Sequence, residues 1–278
     1  MSGPSAPRQL ARHIRYQVRT FVRTPIAVFF TLLLPLIMLV LFNALFGASE
    51  VDTGSGRWPL SQFYSGALAA FTAVSATFTN LANTVPIRRD EGVLKRWRGS
   101  PERPWIYLGG LVGGAIALAV VGVAIMLGLA VVAYDLDIDA AKMPAAVVTL
   151  LVGVATFAAL GMAIAGLCPT ASAASALANA IILPMAFISD VFIAIEDPPR
   201  WLEVLGDVLP LKPFVQSFQG CFNPAVEAPA FAWAELARVA AWGVVGLVVA
   251  LRWFRWEPAR GGSTTRRRRA RVAAAESS

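Results

Sequence analysis

Residue types that build catalytic and metal centres are scarce in this sequence. Its 278 residues include one histidine, His13, and two cysteines, Cys168 and Cys221. A zinc site needs about four such ligands, and a histidine-activated nucleophile needs its partner groups side by side. We therefore expect no catalytic residue, no metal site and no cofactor bound by this chain. We also expect no disulfide, because the topology predicted below places the two cysteines on opposite sides of a membrane.

Lysine is scarce too, and its positions exclude one nucleotide-binding motif. The lysines are Lys95, Lys142 and Lys212, and each follows a residue other than glycine. The P-loop motif G-x-x-x-x-G-K-[ST], whose lysine reaches the nucleotide phosphates, is therefore absent. If the chain takes part in an ATP-driven process, a separate polypeptide must bind the ATP.

Charged residues make up only 15% of the chain, whereas 57% is hydrophobic and the mean hydropathy is +0.63. Crossing a bilayer takes about 20 residues of apolar helix. Six runs are long enough, and we expect an all-α polytopic membrane protein with six transmembrane helices at residues 26–46, 63–86, 106–134, 144–168, 173–195 and 231–254. Pro35 and Pro184 should kink the first and fifth of these spans.

The positive charges indicate the topology. Of the 24 lysines and arginines, 19 lie in the N-terminal segment, in the loop 88–103 or from residue 252 onward. Such residues accumulate on the cytoplasmic side. We therefore expect a multi-pass protein of the cell membrane with both termini cytoplasmic. The formal charge of +7 is confined to loops and tails and does not indicate nucleic-acid binding.

Residues 8–25 have the pattern of a basic amphipathic helix. Arginines recur at helical spacing on one face, and apolar residues such as Leu10, Ile14 and Val18 recur on the other. Such a helix lies in the membrane interface with its apolar face down. Two roles remain open: a simple topology anchor, or an additional contact with a partner protein.

The most distinctive stretch is 88–101, RRDEGVLKRWRGSP, a dense charge cluster between the second and third spans. Its order predicts a short helix with Asp90 and Glu91 in the first turn and basic residues in the last, which complements the helix dipole. Val93, Leu94 and Trp97 would form an apolar strip resting in a groove or against the headgroups. Gly99 and Pro101 would end the helix.

This stretch resembles the first cytoplasmic loop of the type-two ABC exporter permeases, the membrane subunits of drug, antibiotic and polysaccharide export. Their loop reads roughly R-E-x-G-T-L-K-R-L-R-x-T-P, and Val93 and Ser100 stand here where threonine is frequent. The positive-inside rule alone would explain the lysine and arginine but not the order of residues. The resemblance implies a coupling helix that docks into a separate ATPase subunit through Arg89, Asp90, Glu91, Gly92, Leu94, Lys95, Arg96, Arg98 and Pro101.

Residues 195–220 resemble the same family. There the fifth span is followed by P-x-W-L and L-P-L-x-P stretches, which this chain matches at 199–202 and 209–213. The resemblance implies short re-entrant helices between spans 5 and 6. Asp190 departs from the family, which usually has Ser-Gly where this chain has Ser189-Asp190. Three roles remain open for Asp190: attracting a cationic substrate, pairing with Lys212, or facing the outer headgroups.

Small and polar residues form faces on several spans. Gly109, Gly110, Gly113 and Gly114 predict a close-packing face on the third span. Polar stripes on the second and fifth spans predict either helix packing or a substrate pathway at a subunit interface. The pathway candidates are Thr72, Ser75, Thr79, Asn80, Asn83, Asn179 and Asp190.

The sequence thus predicts three parts: a cytoplasmic amphipathic helix at 1–25, a six-span domain at 26–256, and a basic disordered tail at 257–278 that contacts anionic lipid. The six-span domain includes a coupling loop at 87–104 and an outer re-entrant segment at 196–222.

The function that the resemblance implies is that of a permease subunit exporting an amphiphilic or apolar substrate, such as a drug, an antibiotic or a lipid. Its partners would be two ATPase subunits, which bind ATP and Mg²⁺, and a second permease, identical or related. An ion-coupled secondary transporter is the alternative, although the chain shows neither clear internal repeats nor ionisable residues at mid-membrane. An intramembrane enzyme would need a nucleophile with a partner base, which the spans lack.

Overall fold

The computed structural model describes residues 6–47, 49–52, 56–98, 104–192, 199–254 and 256, except for the side chains of Arg98 and Pro104. The predictions made for Pro101 and for the tail 257–278 lie outside the described residues. Within them the chain is almost entirely helical. The helices are α1 (Ala6–Val22), α2 (Pro25–Phe46), α3 (residues 60–90), α4 (Val93–Arg98), α5 (Pro104–Tyr134), α6 (Met143–Leu167), α7 (Ala171–Ile188), α8 (Arg200–Val208), α9 (Leu211–Gly220) and α10 (Trp233–Trp253).

Five helices in the described part of the chain, α2, α5, α6, α7 and α10, are long and apolar enough to cross a membrane. Their apolar side chains are widely exposed, for example Phe30 at 61%, Val132 at 85% and Leu251 at 75%. Exposure on this scale is stable only against lipid or another apolar surface. The chain is therefore an all-α polytopic membrane protein.

The predicted second span corresponds to α3, which is the most enclosed of the long helices. Residues 67–70 are all fully buried, and α3 packs against α2, α5, α6, α7 and α9. A helix surrounded by other helices does not need lipid-facing apolar side chains, which explains why α3 carries threonine and asparagine. It also runs on through Pro86 to Asp90, beyond its predicted end.

Two of the long helices contain a π-helical turn. In α2 it covers Phe29–Leu33 and ends two residues before Pro35, and in α3 it covers Ser75–Thr79. A proline has no backbone N–H to donate within a helix, so a local change of hydrogen bonding beside Pro35 is expected. The second π turn falls in the predicted polar stripe.

Between α2 and α3 lies a small antiparallel hairpin of β1 (Glu50–Asp52) and β2 (Arg57–Pro59), with Val51 opposite Trp58. Both of these side chains are buried. Alternate residues of a strand point to opposite faces, so the polar neighbours Glu50, Asp52 and Arg57 remain exposed.

The last two helices between spans, α8 and α9, occupy the segment for which short helices were predicted. The α9 residues Leu211, Phe214 and Val215 are fully buried. Gln219 Nε2 donates to the Phe63 carbonyl at 3.1 Å, which joins α9 to α3. Thus α9 is an integral part of the helix bundle.

Helices α6 and α10 form the closest long pairing. A Cβ placed on Gly246 would lie 2.9 Å from the backbone nitrogen of Leu160, so only glycine allows this approach. The hydroxyl of Thr156 donates to the Val239 carbonyl at 3.1 Å. The two helices are therefore joined by packing and by a buried hydrogen bond.

Candidate functional site

The charged stretch between α3 and α5 forms a corner. Helix α3 ends at Asp90, residues 91 and 92 form a turn, and α4 begins at Val93. Gly92 has a φ of +73°, and its N–H donates to the Arg89 carbonyl at 2.9 Å. A left-handed glycine after a helix is a common helix stop. This corrects the prediction that Asp90 and Glu91 begin the short helix, because they lie instead at the end of α3 and in the turn.

The apolar strip of α4 is used within the chain. Leu94 is fully buried, and Trp97 stacks on Tyr107 of α5 with ring centroids 5.0 Å apart. The His13 ring of α1 lies edge-on to Trp97 at 5.1 Å. The strip therefore fixes α4 on α5 and α1 within the chain.

The opposite side of α4 and its turn is exposed and charged. Glu91, Lys95 and Arg96 all face solvent. A short helix held firmly on its apolar side and presenting charge on the other is suited to an electrostatic contact with a partner. Of the nine residues predicted to couple to an ATPase, Glu91, Lys95, Arg96 and also Asp90 are exposed, whereas Gly92 and Leu94 shape and anchor the corner. The side chain of Arg98 and the residue Pro101 lie outside the described part of the chain.

A cleft of about 600 Å³ opens beside α4 and is lined by residues of α1, α3, α4 and α5. Arg88 crosses its floor. One guanidinium nitrogen donates to the Tyr107 hydroxyl at 3.0 Å, and the other donates to the Gln17 side-chain oxygen at 2.8 Å. Arg88 thereby ties α3 to both α5 and α1.

Helix α1 lies along the glycine face of α5. A Cβ on Gly113 or Gly114 would come within 2.7 Å of Ile14 or Gln17, respectively. The close-packing face predicted from the glycines is therefore present, and its partner is the amphipathic helix α1.

Arg89 and Asp90 point in the opposite direction from Arg88, toward the turn between α6 and α7. Arg89 is 1% exposed, and its two terminal nitrogens donate to the carbonyls of Ala165 and Cys168 at 2.9 and 2.7 Å. The Asp90 carboxylate accepts the Ala171 N–H at 2.8 Å. Both side chains are thus engaged inside the chain, where they position the corner.

Local chemistry explains this arrangement. The Ala165 carbonyl would accept an N–H from residue 169 in a continuing helix, but Pro169 has none. The Arg89 guanidinium supplies the missing donor at the negative end of α6, and the Asp90 carboxylate meets the positive end of α7. The sequence feature that could have predicted this contact is Pro169, directly after an apolar run. Because proline has no N–H, the Ala165 carbonyl needs a donor from elsewhere in the chain.

The polar stripe of α3 divides into two parts. Thr72 and Thr77 are fully buried and donate to the carbonyls of Leu68 and Ala73 at 2.8 and 2.7 Å. Ser75 is buried as well. These residues take part in helix packing.

The second part of the stripe lies nearer the corner and is more accessible. Thr79, Asn80 and Asn83 are half-buried, and the Ser175 hydroxyl of α7 donates to the Asn83 side-chain oxygen. Asn179, one turn further along α7, is exposed. This part joins two helices and leaves an amide facing outward.

Asp190 lies in the turn after α7, in a left-handed conformation with a φ of +56°. Burial raises the pKa of its carboxyl above 3.8, and this effect is opposed by the nearby charge of Lys212 and a hydrogen bond to Gln216. Lys212 is itself buried, and its Nζ lies 3.9 Å from Asp207. Asp190 thus belongs to a polar cluster with the predicted Lys212, and Asp207 is a further member that sequence reasoning missed.

The two cysteines are both free and buried. Burial raises the pKa of the Cys221 thiol to about 11, against the opposing charge of Lys142. Burial also raises the pKa of the Cys168 thiol, and the nearby positive charge of Arg89 opposes this effect. No group of three or more histidine, cysteine or acidic residues in the described ranges is placed to hold a metal ion.

These features define the class of protein: a polytopic α-helical membrane protein with a short charged helix anchored between two long ones. Residues 8–223 match the model of the ABC-2 type transporter family, and the chain belongs to that family. Its members are membrane subunits of ABC transporters and normally work with an ABC ATPase subunit. Among curated proteins, no significant match to this chain was found.

Proposed function

We propose that this chain is the permease subunit of an ABC exporter and that α4 is its coupling helix. The observation that carries the proposal is the rigid attachment of α4 through Leu94 and Trp97, combined with the exposed charges of Glu91, Lys95 and Arg96. A docked helix transmits movement only if it does not slide on its own subunit. The ATPase, a separate polypeptide, binds ATP and Mg²⁺ and contacts this charged face.

In this proposal α3 crosses the membrane as a sixth span. The five apolar helices supply the lipid-facing surface, and α3 runs among them with Thr72, Ser75 and Thr77 enclosed. With α3 counted, both termini and α4 lie on the cytoplasmic side of the cell membrane, where most of the positive charge is found. Helix α8 exposes Trp201, Val204 and Val208, which supports its lying in the outer leaflet beside the re-entrant α9.

The substrate pathway in this proposal runs along the accessible part of the polar stripe. Asn80, Asn83 and Asn179 lie where α3 and α7 meet, and Asn179 points away from the bundle. An exposed amide in lipid is costly, so a second permease copy or a wet pathway is its better environment. Two permeases with two ATPases would enclose the pathway and move an amphiphilic or apolar molecule outward.

The experiment is charge reversal on α4. Lys95→Glu combined with Arg96→Glu should abolish co-purification with the ATPase and ATP-dependent export, while the permease remains in the membrane. The matched control is Arg252→Glu, which reverses the charge of an exposed arginine at the end of α10. This variant should leave ATPase co-purification and export unchanged. Unaltered ATPase binding by the double variant would contradict the proposal. Export that persists without an ATPase but stops when the proton gradient collapses would indicate the ion-coupled alternative.

A further inference from the structure

We infer that Arg89 and Asp90 join the coupling corner to the α6–α7 turn, so that movement of α4 is delivered to α6, α7 and α10. This inference rests on the proposed function and names the residues that transmit the movement. Trp97 connects the corner to α5 and α1, and Arg89 and Asp90 add a connection at the opposite side, to the turn between α6 and α7.

The contact has the geometry of a two-sided clamp. Arg89 donates to two carbonyls at the end of α6, and Asp90 accepts from the first N–H of α7, with donor–acceptor distances between 2.7 and 2.9 Å. The Thr170 hydroxyl completes the start of α7 by accepting the Ala173 N–H at 3.2 Å. Adjacent residues of one helix thus hold both ends of a turn in another part of the chain.

The clamp is strong because all its bonds involve a charged group. Bonds of this kind are about twice as strong as those between neutral groups. The guanidinium of Arg89 is buried, so water does not compete for the two carbonyls. Because the Asp90 carboxylate is partly exposed, with 35% of its side chain accessible, Arg89 is the stronger half of the clamp.

From the turn, the connection continues into the bundle. At Gly166 a Cβ would lie 3.3 Å from the backbone of Trp253, so the end of α6 touches the end of α10. Further along, Thr156 is hydrogen-bonded to Val239. Helices α6 and α10 therefore move together, and α7 moves with the turn that Asp90 holds.

The corner is attached on two sides, to α1 and α5 on one side and to α6 and α7 on the other. Trp97 connects α4 to α5 through Tyr107, whereas Arg89 and Asp90 connect it to α6 and α7. A displacement of α4 would then shift α5 and the α6–α7–α10 group together. Removing the clamp should leave α4 docked and the ATPase active, but it should weaken the connection from the corner to the second group, which α3 also contacts directly.

The test measures export per ATP hydrolysed by the full permease–ATPase complex in lipid. For Arg89→Gln we expect this ratio to fall by about fivefold or more, the lower end of typical couplings between sites, while ATPase association persists. Partial unfolding would lower export and ATPase activity together and leave the ratio unchanged. The matched control is Arg252→Gln. An unchanged ratio in an Arg89→Gln complex whose ATPase activity equals that of the unmodified complex would overturn the inference.

Asp90 provides a second and milder set of variants. Asp90→Ala removes the acceptor, and Asp90→Asn keeps an oxygen that accepts the Ala171 N–H. We expect a reduced ratio for Asp90→Ala and substantial recovery for Asp90→Asn. If Arg89→Gln does not fold, equal ratios for Asp90→Ala and the unmodified complex would still overturn the inference.

A third measurement separates this inference from the proposed function, since it needs no ATPase. Spin labels on Lys95→Cys and Ser172→Cys, both at exposed positions, report the distance from α4 to the start of α7 in the isolated full-length permease. We expect one narrow distance distribution, broadened by Arg89→Gln. If no ATPase binds the permease, the proposed function fails, and this measurement alone decides whether the clamp exists. A distribution that Arg89→Gln does not broaden would refute the clamp.

Discussion

Trp97 of α4 and Tyr107 of α5 stack with an interplanar angle of 21° and a centroid separation of 5.0 Å. The Tyr107 hydroxyl accepts a hydrogen bond from Arg88 of α3 at 3.0 Å. One side chain of α5 therefore receives contacts from both sides of the coupling corner. The orientation of α4 depends on this pair more than on the exposed charges.

Trp97→Ala should destabilise the protein by about 1–3 kcal/mol, since a half-buried indole and an aromatic pair are lost. It should also weaken ATPase co-purification, because α4 loses its fixed orientation. Thermal unfolding in detergent and a pull-down measure the two effects. The control is Trp105→Ala, which removes an exposed indole at the second residue of α5, two residues before Tyr107. Equal effects of the two substitutions would contradict this role for Trp97.

Gly114→Val should displace α1 from α5. A Cβ at this position would lie 2.7 Å from the Gln17 Cβ, and overpacking of this kind costs about 1–3 kcal/mol. We expect faster tryptic cleavage at the α1 arginines. Gly128→Val is the matched control, because a Cβ there meets nothing within 4 Å. If α1 is cleaved equally slowly in both variants, the glycine face does not hold it.

Asp190→Asn should stabilise the protein increasingly as the pH rises. Burial raises the pKa of the folded carboxyl above 3.8, so the unfolded chain releases this proton at a lower pH than the folded chain does. Below the pKa of the unfolded chain the carboxyl is protonated in both states and does not affect the stability of the fold. Above that pKa the unfolded chain ionises more readily than the folded protein, so the free energy of unfolding falls. Each kcal/mol corresponds to about 2–4 °C in melting temperature.

The measurement for Asp190 compares melting temperatures of the variant and the unmodified protein from pH 4 to pH 8. Glu203→Gln, which neutralises an exposed acid on α8, serves as the comparison. If Asp190→Asn raised the melting temperature more at low pH than at high pH, the sign would be wrong and the explanation would be refuted.

Both native cysteines should resist maleimide in the folded protein. Cys168 and Cys221 are 5% and 3% exposed, and a thiol whose pKa is about 11 holds little of the reactive thiolate near neutral pH. We expect labelling of both after denaturation without reductant, because neither forms a disulfide. Rapid modification of Cys221 in the folded state would show that this thiol is not buried.

The long helices could be predicted from the sequence because lipid imposes a simple rule of length and hydropathy. The amphipathic α1 was equally clear from its periodicity. The continuation of α3 through Pro86 was not, since the neighbouring helices stabilise it. The hairpin around Val51 and Trp58 was missed because two strands of three residues leave almost no periodic signal.

The candidate site was predicted only in part. Its location followed from a charge cluster between two apolar runs, but the direction of each side chain did not. Arg88, Arg89 and Asp90 are consecutive and equally polar, yet Arg88 lines a cleft and Arg89 is buried. Their directions depend on which carbonyls and carboxamides the folded bundle leaves without partners, and this is a tertiary property.

The central claim is that α4 meets an ATPase on the cytoplasmic side, and a cross-link from Lys95 tests it most directly. A photoreactive group on Lys95→Cys, introduced into the intact permease–ATPase complex, should join the two subunits, and an impermeant thiol reagent should reach this position only from the cytoplasm. Labelling from the outside of the cell, with no cross-link to the ATPase, would contradict the account.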